Sequence, residues 1–377
     1  MRRTLSGLLV FLMFLTLGAL AEDEEISYWD LMGGDQDQAD ATPDPSAPSP
    51  TPAVTPNADG SVLLTMSFTG DVTIGGDVRK SGKSIFDKEL DKQKGDLTFP
   101  FRNVKDIFAQ DDMTLVNFEG TLTTAPINPD KRNNSFLFSA PTSYVQILTS
   151  GNIEAVSLEN NHVMDHGTAG NEETKQTLRD AGIVYSSNGE PGVFTAQGVQ
   201  IAMLSYQTFD QYPTLFEQVP RDVAAAKAQY PIVIVSFHWG AELDYAPNDN
   251  QQKLGKMTID AGADLVIGHH SHRINPIEIY KGKYICYSLG NFSFAGNTKP
   301  SDMSTYIFQT RFQVKDGVAA PEGFRIIPCR ISSRSDYNDF APTPYDSGSS
   351  IQSLLNVLKD NGKSLENPVP EYPLDWQ

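Results

Sequence analysis

Residues 156–167, VSLENNHVMDHG, hold a dense set of side chains able to do chemistry. An apolar run leads directly into Asn160, Asn161, His162, Asp165 and His166. The remaining histidines lie in two other places, each of which also follows an apolar run: His238, and the cluster of His269, His270 and His272. Neutral imidazole with carboxylate and carboxamide oxygens is a ligand set suited to Zn, Mn or Fe. These residue types therefore predict a site for a divalent metal.

Acidic and amide residues also stand at the ends of apolar runs: Asp71, Asn117, Glu119 and Asn291. The loops at the carboxyl ends of strands bring distant segments of an α/β sheet together. Each residue alone has an ordinary explanation, since an Asn pair suits a turn, an Asp suits a helix cap and a lone His is commonly a hydrogen-bonded core residue. Because no histidine lies elsewhere, we expect one shared site that holds one or two ions.

Short apolar runs alternate with amphipathic stretches from Ser61 onward. The apolar runs predict strands at 62–69, 113–118, 153–158, 199–206, 232–237, 264–267 and 284–289. The amphipathic stretches predict helices at 101–110, 143–150, 171–181, 221–230 and 251–261. Gly182 and Gly262 directly follow two of these helices, as helix-ending glycines do. Such alternation is typical of a layered α/β domain with a sheet at its centre.

Residues 1–21 are typical of an export signal, because two arginines precede an uncharged apolar run that ends in a small-residue cleavage site, Ala-Leu-Ala. An uncleaved anchor is the alternative, since the uncharged stretch is close to the roughly 18 apolar residues that a spanning helix needs. We therefore expect a secreted or extracytoplasmic protein, or one anchored to the membrane by its N-terminus.

The rest of the chain divides by composition. Residues 22–60 predict an extended, acidic and Pro-rich linker, and residues 61–340 predict the folded domain. Residues 341–377 turn polar and predict a peripheral C-terminal tail with one helix at 350–359. Cys286 and Cys329 are compatible with a disulfide in an exported protein and equally with two buried thiols.

The net charge of −18 argues against nucleic acid as a partner, because nucleic acid requires a clustered basic face. Residues 22–60 alone carry ten Asp or Glu and no Lys or Arg. A dense polyanion is also repelled unless metal ions or a local basic patch intervene.

Six stretches, in order and spacing, resemble the bacterial capsule-synthesis CapA family, also called PGA_cap after the poly-γ-glutamate capsule: GDVTIGGD (70–77), NFEGTLT (117–123), FLFSAP (136–141), SLENNHVMDHG (157–167), SFHWGAE (236–242) and GADLVIGHHSHRINPIEIYKGKYICYSLGNFSF (262–294). The resemblance spans about residues 62–296. The family is similar to calcineurin-like metallophosphoesterases. This implies a four-layer α/β/β/α sandwich, in which two sheets pack together and helices cover their outer faces.

The resemblance also implies roles for individual residues. It implies a metal-ligand set made of Asp71, Glu119, Asn161, His238, His270 and His272. It makes His162 the group that steadies or protonates the leaving oxygen, with Asp165 beside it. Residues expected to orient ligands or to contact substrate are Asn117, Asn160, His166, Trp239, Glu242, His269, Arg273 and Asn291. For Trp239 and Arg273, plain packing is the alternative to clamping a substrate.

Two departures from the metallophosphoesterase pattern bear on the number of ions. The first motif, D-x-H, ends in Thr73 here, so one imidazole ligand is missing, and Glu119 stands where the second motif has Asp. In the last motif either His269 or His270 can be the ligand. One tight and one weak site for Mn, Zn or Fe is therefore an alternative to a full two-metal centre.

Three functional hypotheses remain open from the sequence. The first is an extracytoplasmic, metal-dependent hydrolase of phosphoesters that acts on capsule or cell-envelope polymers. The second is a non-catalytic protein that binds metal and an anionic polymer during capsule export or anchoring, in association with the membrane or a capsule-synthesis complex. The third is hydrolysis of the γ-glutamyl amide bond, which metal-activated water also attacks.

Overall fold

The computed structural model describes residues 57, 59–131, 136–208 and 212–376. The predicted export signal and almost all of the predicted linker lie outside these residues and stay predictions. Within the described part of the chain, no helix is both long and apolar enough to cross a membrane.

Runs rich in Val, Ile and Phe form the strands, as their β propensity predicts. These strands are β1 (Val62–Thr73), β2 (Gly76–Asp77), β3 (Met113–Phe118), β4 (Thr121–Leu122), β5 (Phe138–Ala140), β6 (Ala155–Ser157), β7 (Val184–Ser186), β8 (Gly192–Ala196), β9 (Val199–Gln207), β10 (Ile232–His238), β11 (Leu265–His269), β12 (Ile277–Tyr280), β13 (Lys283–Cys286), β14 (Asn291–Phe294), β15 (Ser304–Lys315), β16 (Val318–Arg330) and β17 (Thr343–Pro344). The α-helices are α1 (Ile85–Lys92), α2 (Lys105–Phe108), α3 (Val145–Ser150), α4 (Gly167–Asp180), α5 (Tyr212–Lys227), α6 (Asp249–Asp260) and α7 (Gly348–Gly362).

Most strands belong to two large sheets. The first sheet has the order β17-β16-β15-β1-β3-β6-β7, and β14 also pairs with β1. The second sheet has the order β12-β13-β11-β10-β9-β8, and β2, β5 and β4 form a small third sheet. The neighbours β1, β3, β6 and β7 pair in parallel, as do β9, β10, β11 and β13. Each large sheet therefore gathers the carboxyl ends of several strands at one edge.

Three apolar clusters stack the sheets and helices into four layers. The inner faces of the two sheets meet in a core that includes Phe68 of β1 and Ile234 of β10. The outer face of the first sheet packs against helices, for example through Leu178 of α4. The outer face of the second sheet packs against α5 and α6 through residues such as Val235 and Leu254. The predicted α/β/β/α sandwich is confirmed.

Most of the elements expected from the sequence are present. Each predicted strand corresponds to β1, β3, β6, β9, β10, β11 or β13, and Gly182 and Gly262 follow α4 and α6 with positive φ. The helix predicted at 101–110 is wrong in length, since its only α-helical turn is α2. The helix predicted from residue 221 begins earlier, at Tyr212, so that Pro220, which precedes the predicted start, lies inside α5. Sequence reasoning missed α1 and the long hairpin of β15 and β16.

The C-terminal segment packs onto the body of the domain, which corrects the expectation of a peripheral tail. Helix α7, which contains the predicted helix, buries Leu354 and Leu358 in the core between the sheets, and Tyr372 joins them there. The backbone N–H of Val369 donates to Ile277 O at 3.0 Å. These contacts make the segment part of the folded unit.

The two cysteines are free thiols in separate clusters. Cys286 lies in the core between the sheets, and Cys329 lies in the cluster outside the first sheet. Burial raises the pKa of the Cys286 thiol well above its usual value. Of the two alternatives that the sequence left open, the structure has buried thiols.

Candidate metal centre

The first sheet brings buried oxygen ligands to its carboxyl edge. Asp71 of β1 lies in register with Asn117 of β3, and Asn117 Nδ2 donates to Asp71 Oδ1 at 2.8 Å. Glu119 directly follows β3. All three side chains are completely buried. Because β1 and β3 run parallel, their carboxyl ends lie side by side, which brings together residues that are far apart in the chain.

The second sheet brings imidazoles to the same place. His238 and His269 are the last residues of β10 and β11, and they are paired in register. His269 Nδ1 lies 3.5 Å from Asp71 Oδ1, and His238 Nε2 lies 3.8 Å from Glu119 Oε1. Strand ends from both sheets therefore build a single cluster.

The loop after β11 carries two more imidazoles on an unusual backbone. His270 and His272 have φ angles of 90° and 54°, in a region that residues with a side chain seldom adopt. Such a conformation costs about 1–3 kcal/mol per residue and is concentrated at functional sites. The centroids of the His270 and His238 rings lie 4.5 Å apart, and His272 Nδ1 lies 3.2 Å from Asp71 Oδ2. The loop thus places both rings against the cluster.

A close approach of two backbones positions Asp71. A Cβ atom on Gly70 would lie 1.8 Å from Gly290 O, so only glycine permits this contact. Asp71 N donates to Gly290 O at 2.9 Å, and β1 pairs with β14 so that Asp71 faces Asn291. Asn291 Oδ1 accepts a hydrogen bond from His272 Nδ1 at 2.8 Å. Asn291 therefore orients His272 toward Asp71.

His162 is held by polar contacts that lead to Lys131. His162 Nδ1 lies 2.7 Å from Asp165 Oδ2, and its Nε2 lies 3.7 Å from Glu119 Oε1. Asp165 also accepts a hydrogen bond from Phe138 N at 2.8 Å and lies 3.2 Å from Lys131 Nζ. Asp165 therefore fixes the ring with Nε2 toward Glu119. Sequence reasoning missed Lys131, because the loop that carries it shows no motif or periodicity.

The other residues of the Asn-His stretch have separate roles. Asn160 Nδ2 donates to Phe118 O at 2.8 Å, and its Oδ1 accepts from His162 N at 3.0 Å, so Asn160 supports the loop. Asn161 Oδ1 is buried without a hydrogen-bond partner among the described residues, which leaves it available to a cation. His166 Nδ1 donates to Ala125 O at 2.6 Å, so this ring ties the residue before α4 to the backbone of a neighbouring loop.

Trp239 and Arg273 are packed into the protein. Trp239 has no exposed surface, and its indole N–H donates to Tyr287 O at 2.9 Å. Arg273 Nη1 donates to His272 O at 2.8 Å and Nη2 donates to Ser301 Oγ at 2.9 Å. For both residues the structure favours packing over clamping a substrate, and Arg273 steadies the loop of His272.

The carboxyl groups of the cluster have perturbed pKa values. Burial and the charge of Asp71 raise the pKa of Glu119 well above its usual range, and neither Glu119 oxygen has a hydrogen-bond partner among the described residues. Burial also acts on Asp71, but the hydrogen bond and charge of His272 outweigh it and hold the pKa of Asp71 below its usual value. Burial acts to lower the pKa of His272, but the charges of Glu119 and Asp71 outweigh burial and raise this pKa to about 9. A buried carboxyl group without donors is costly, and a bound cation would relieve that cost.

Burial favours the neutral form of three imidazoles, those of His238, His269 and His270. Burial lowers the pKa of His269 and of His270 to about 4, with the charge of His272 adding to the effect on His270. Burial, followed by the charge of His270, lowers the pKa of His238 well below its usual value. Neutral imidazole is a common metal ligand. Both ring nitrogens of His269 are buried without a hydrogen-bond partner in the described ranges.

Among the described residues, two groups of side chains have ligand atoms within 4.8 Å of one another: Asp71, Glu119 and His272, and Glu242, His270 and His272. Carboxylate oxygens with imidazole nitrogens suit Zn, Mn or Fe. Glu242 is exposed, so the second group opens to solvent. The buried atoms without hydrogen-bond partners and the oxygen and nitrogen ligand atoms both suit a divalent ion.

Comparison with known proteins identifies relatives of this chain. The family model described as bacterial capsule synthesis protein PGA_cap matches residues 65–295. The PGA biosynthesis protein CapA of Bacillus subtilis (strain 168) is 31% identical over 332 residues, which cover 82% of this chain and 81% of that protein. The capsule biosynthesis protein CapA of Bacillus anthracis is 29% identical over 273 residues, which cover 66% of this chain and 64% of that protein.

Similar solved structures are more distant. A phosphatase from Mycoplasma pneumoniae has a TM-score of 0.44 and 14% identity, covering 71% of this chain and 93% of that one. The calcineurin-like phosphoesterase YfkN from Bacillus subtilis has a TM-score of 0.41 and 14% identity, covering 80% and 99%. The family match contains all six of the motif stretches that carry the resemblance seen in the sequence and spans more than half of the chain. The chain therefore belongs to the bacterial capsule synthesis family PGA_cap.

Proposed function

We propose that this protein is a divalent-metal-dependent hydrolase that cleaves a phosphoester during the biosynthesis of an anionic capsule polymer. The observation that carries the proposal is a set of buried ligand atoms without partners: both oxygens of Glu119 and both ring nitrogens of His269 lack hydrogen bonds within the described residues. Buried polar groups of native proteins are almost always paired, and unpaired ones call for a ligand or a catalytic role. The capsule context is supported by the names of the two Bacillus relatives.

The residues that would hold an ion are those with ligand atoms close together. Asp71, Glu119 and His272 form one such group, with His269 against Asp71 and His238 against Glu119. A bound divalent cation supplies Lewis acidity: it lowers the pKa of a coordinated water and neutralises charge on phosphoryl oxygens. The chain supplies imidazoles whose charged form is disfavoured by burial, and the buried carboxyl groups of Asp71 and Glu119, for this purpose.

His162 is the residue suited to move a proton. Asp165 holds its Nδ1, so Nε2 faces Glu119 and the cluster, where a leaving oxygen would be protonated. Lys131 and the backbone N–H of Phe138 hold Asp165 in turn. Proton transfer by a positioned side chain contributes about a hundredfold or more to the rate.

A second candidate is a non-catalytic role in binding metal and polymer. Thr73 favours it, because this buried residue stands where the metallophosphoesterase motif has an imidazole ligand. A γ-glutamyl amide is the alternative bond for a hydrolase, since Lewis acids also promote attack of water on carbonyl groups. The assay below separates these alternatives.

The test is reconstitution of the metal-free protein with Mn or Zn, followed by assays with chromogenic phosphomonoesters, phosphodiesters and a γ-glutamyl peptide. We expect metal-dependent phosphoester turnover, and we expect His162→Asn to lower its rate about a hundredfold at unchanged metal stoichiometry. Glu217→Gln is the matched control, because Glu217 is exposed on α5. Bound metal without turnover of any substrate would reject the hydrolase and leave the binding role.

We also propose that the domain works outside the cytoplasm, on the basis of the export signal predicted for residues 1–21. Cell fractionation with mass spectrometry of the N-terminus tests this. A mature chain beginning at Glu22 outside the cytoplasm is expected with cleavage, and a membrane-bound chain that keeps residues 1–21 indicates an anchor. Recovery of the uncleaved chain from the cytosol would refute the location.

A further inference from the structure

Exposed apolar side chains are concentrated beside the candidate metal centre. In the part of the chain that the structure describes, five large apolar side chains are exposed, and three of them lie close to the centre: Val78, Phe136 and Leu243. We call these three residues the apolar collar. Single exposed apolar residues are ordinary on a protein surface, whereas a group of them around a polar site is typical of a surface that binds a ligand.

A row of aromatic rings connects Phe136 to the centre. Phe136 is 44% exposed, and its ring stacks on that of Phe138 with centroids 5.8 Å apart and planes 12° apart. The Phe138 centroid lies 4.6 Å from that of His162. The Phe294 centroid lies 6.2 Å from that of Phe138 and 4.9 Å from that of His272. The row therefore runs from two imidazoles of the centre to the surface.

The centre is partly open along the same row. The side chains of His162 and His272 are 10% and 15% exposed, whereas those of Asp71, Glu119 and His238 have no exposed surface. A ligand that reaches the buried carboxyl groups past the two partly exposed rings therefore passes beside Phe138 and Phe294.

The other two members of the collar lie on either side of this opening. Val78 N donates to Leu137 O at 3.0 Å, which places Val78 next to Phe136 and its strand. Leu243 N donates to Ser271 O at 2.7 Å, within the loop of His272. Leu243 is 58% exposed and has a φ angle of 70°, which a leucine seldom adopts. Because such backbone strain is concentrated at functional sites, Leu243 belongs to the binding surface rather than to an ordinary loop.

Positive charge accompanies the apolar ring. Lys80 is exposed, and its Nζ lies 5.8 Å from the centroid of the Phe136 ring. This separation is within the roughly 6 Å of a cation–π contact. The chain as a whole has a net charge of −18, so this positive charge is a local feature. An apolar ring beside a cation suits a molecule that has both an apolar group and an anionic group.

We propose that the apolar collar and Phe294 bind the apolar alcohol of the substrate, so that the centre takes a phosphoester of a hydrocarbon or aromatic alcohol. The inference rests on the proposed function, because it assigns the substrate class of that centre. The ester oxygen then lies beside His162, with the apolar group along the row of rings. Hydrolysis forms a bond from phosphorus to the oxygen of water and breaks the bond to the ester oxygen, which takes the proton of His162 Nε2.

Calorimetric titration of the Mn-loaded, full-length protein with phosphonates tests the proposal. Phosphonates are not hydrolysed, because a carbon atom replaces the ester oxygen. We expect benzylphosphonate and heptylphosphonate, which have equal numbers of carbon atoms, to bind about tenfold or more tightly than ethylphosphonate. Tighter binding of the benzyl compound assigns an aromatic alcohol, and tighter binding of the heptyl compound assigns a hydrocarbon chain.

Variants of the collar locate the preference. Phe136→Ser and Leu243→Ser should each remove most of the preference for the larger phosphonates and leave ethylphosphonate binding unchanged. Val318→Ser is the matched control, because Val318 is also exposed but follows the turn of the β15–β16 hairpin, near the amino end of β1. It should keep the preference of the wild type. All three residues are exposed, so the variants should fold.

Three results would overturn the inference: no binding of any phosphonate, equal binding of all three, or an unchanged preference in both collar variants. The readout is binding and does not depend on turnover. Phosphoester turnover with equal binding of the phosphonates would reject this inference alone. A preference that the collar variants remove, without turnover of any phosphoester, would reject the hydrolase alone.

Discussion

The two ends of the second sheet both lie near buried carboxyl groups, but only one end pairs its carboxylate. Asp264 directly precedes β11 and accepts hydrogen bonds from Lys227 Nζ at 2.7 Å, Lys283 Nζ at 3.0 Å and Val233 N at 2.8 Å. Glu119 lies against the carboxyl end of β10, and neither of its oxygens has a hydrogen-bond partner among the described residues. Both residues are at most 1% exposed.

The difference separates a structural acid from a candidate ligand. Asp264 shows that this fold can surround a buried carboxylate with two cations and a backbone donor. Leaving Glu119 without donors costs free energy that such pairing would recover. The cost is compatible with a folded protein if a cation binds there. Two experiments break or sharpen this contrast, and a third tests another buried acid, Asp111.

The largest effect is expected at the paired acid. Asp264→Asn leaves Lys227 and Lys283 without their counter-charge, and we expect the free energy of unfolding to fall by about 3 kcal/mol. Urea denaturation at pH 7 measures it. Asp260→Asn is the matched control, because Asp260 pairs with Lys281 at an exposed position on α6 and should change stability little. A loss at Asp264 as small as that of the control would contradict the contrast.

A smaller effect, of opposite kind, is expected at the unpaired acid. Glu119→Gln should weaken binding of Mn about a hundredfold, because it removes a ligand charge. The same variant should leave the urea stability of the metal-free protein unchanged or raised, since no hydrogen bond to a Glu119 oxygen is lost. Glu242→Gln, in the exposed group, should weaken Mn binding less. A loss of metal-free stability comparable to that of Asp264→Asn would show that Glu119 is a structural acid.

The third effect concerns pH and is the smallest when measured over a single pH unit. Burial raises the pKa of Asp111, just before β3, to about 7 from an ordinary value of 3.8. Between these values the folded protein keeps a proton that the unfolded chain releases, so the stabilising contribution is complete below pH 4 and is lost as the pH rises to 7. Asp111→Asn removes this dependence. The wild type should therefore lose about 1.4 kcal/mol per pH unit relative to the variant between pH 5 and 6. Parallel stability curves for the two proteins would refute the shift.

The sequence predicted the strands that end at the centre because they are continuous apolar runs, as strands buried on both faces are. The hairpin of β15 and β16 was missed for a physical reason. β16 contains Pro321 and Pro328, which argue against a strand, and its register shifts opposite Arg311 and Phe312. Prolines and an extra residue break the alternation on which strand prediction depends.

The candidate site was predictable where residue type decides the chemistry, and less so where side-chain direction decides it. Trp239 follows a ligand position but belongs to the core, because successive residues of an extended chain point to opposite faces. The sequence left open which of His269 and His270 lies at the centre, and the structure places both there. The role of Lys131 depends on contacts between distant segments, which spacing along the chain does not reveal.

The parallel pairing of β1 with β14 has a consequence for the order of events during synthesis. Asp71 emerges from the ribosome early, but Asn291, which orients His272 beside it, emerges only after most of the domain has been made. A nascent chain that lacks Asn291 has no side chain to orient His272 beside Asp71, so the complete set of candidate ligands exists only after the first sheet is finished.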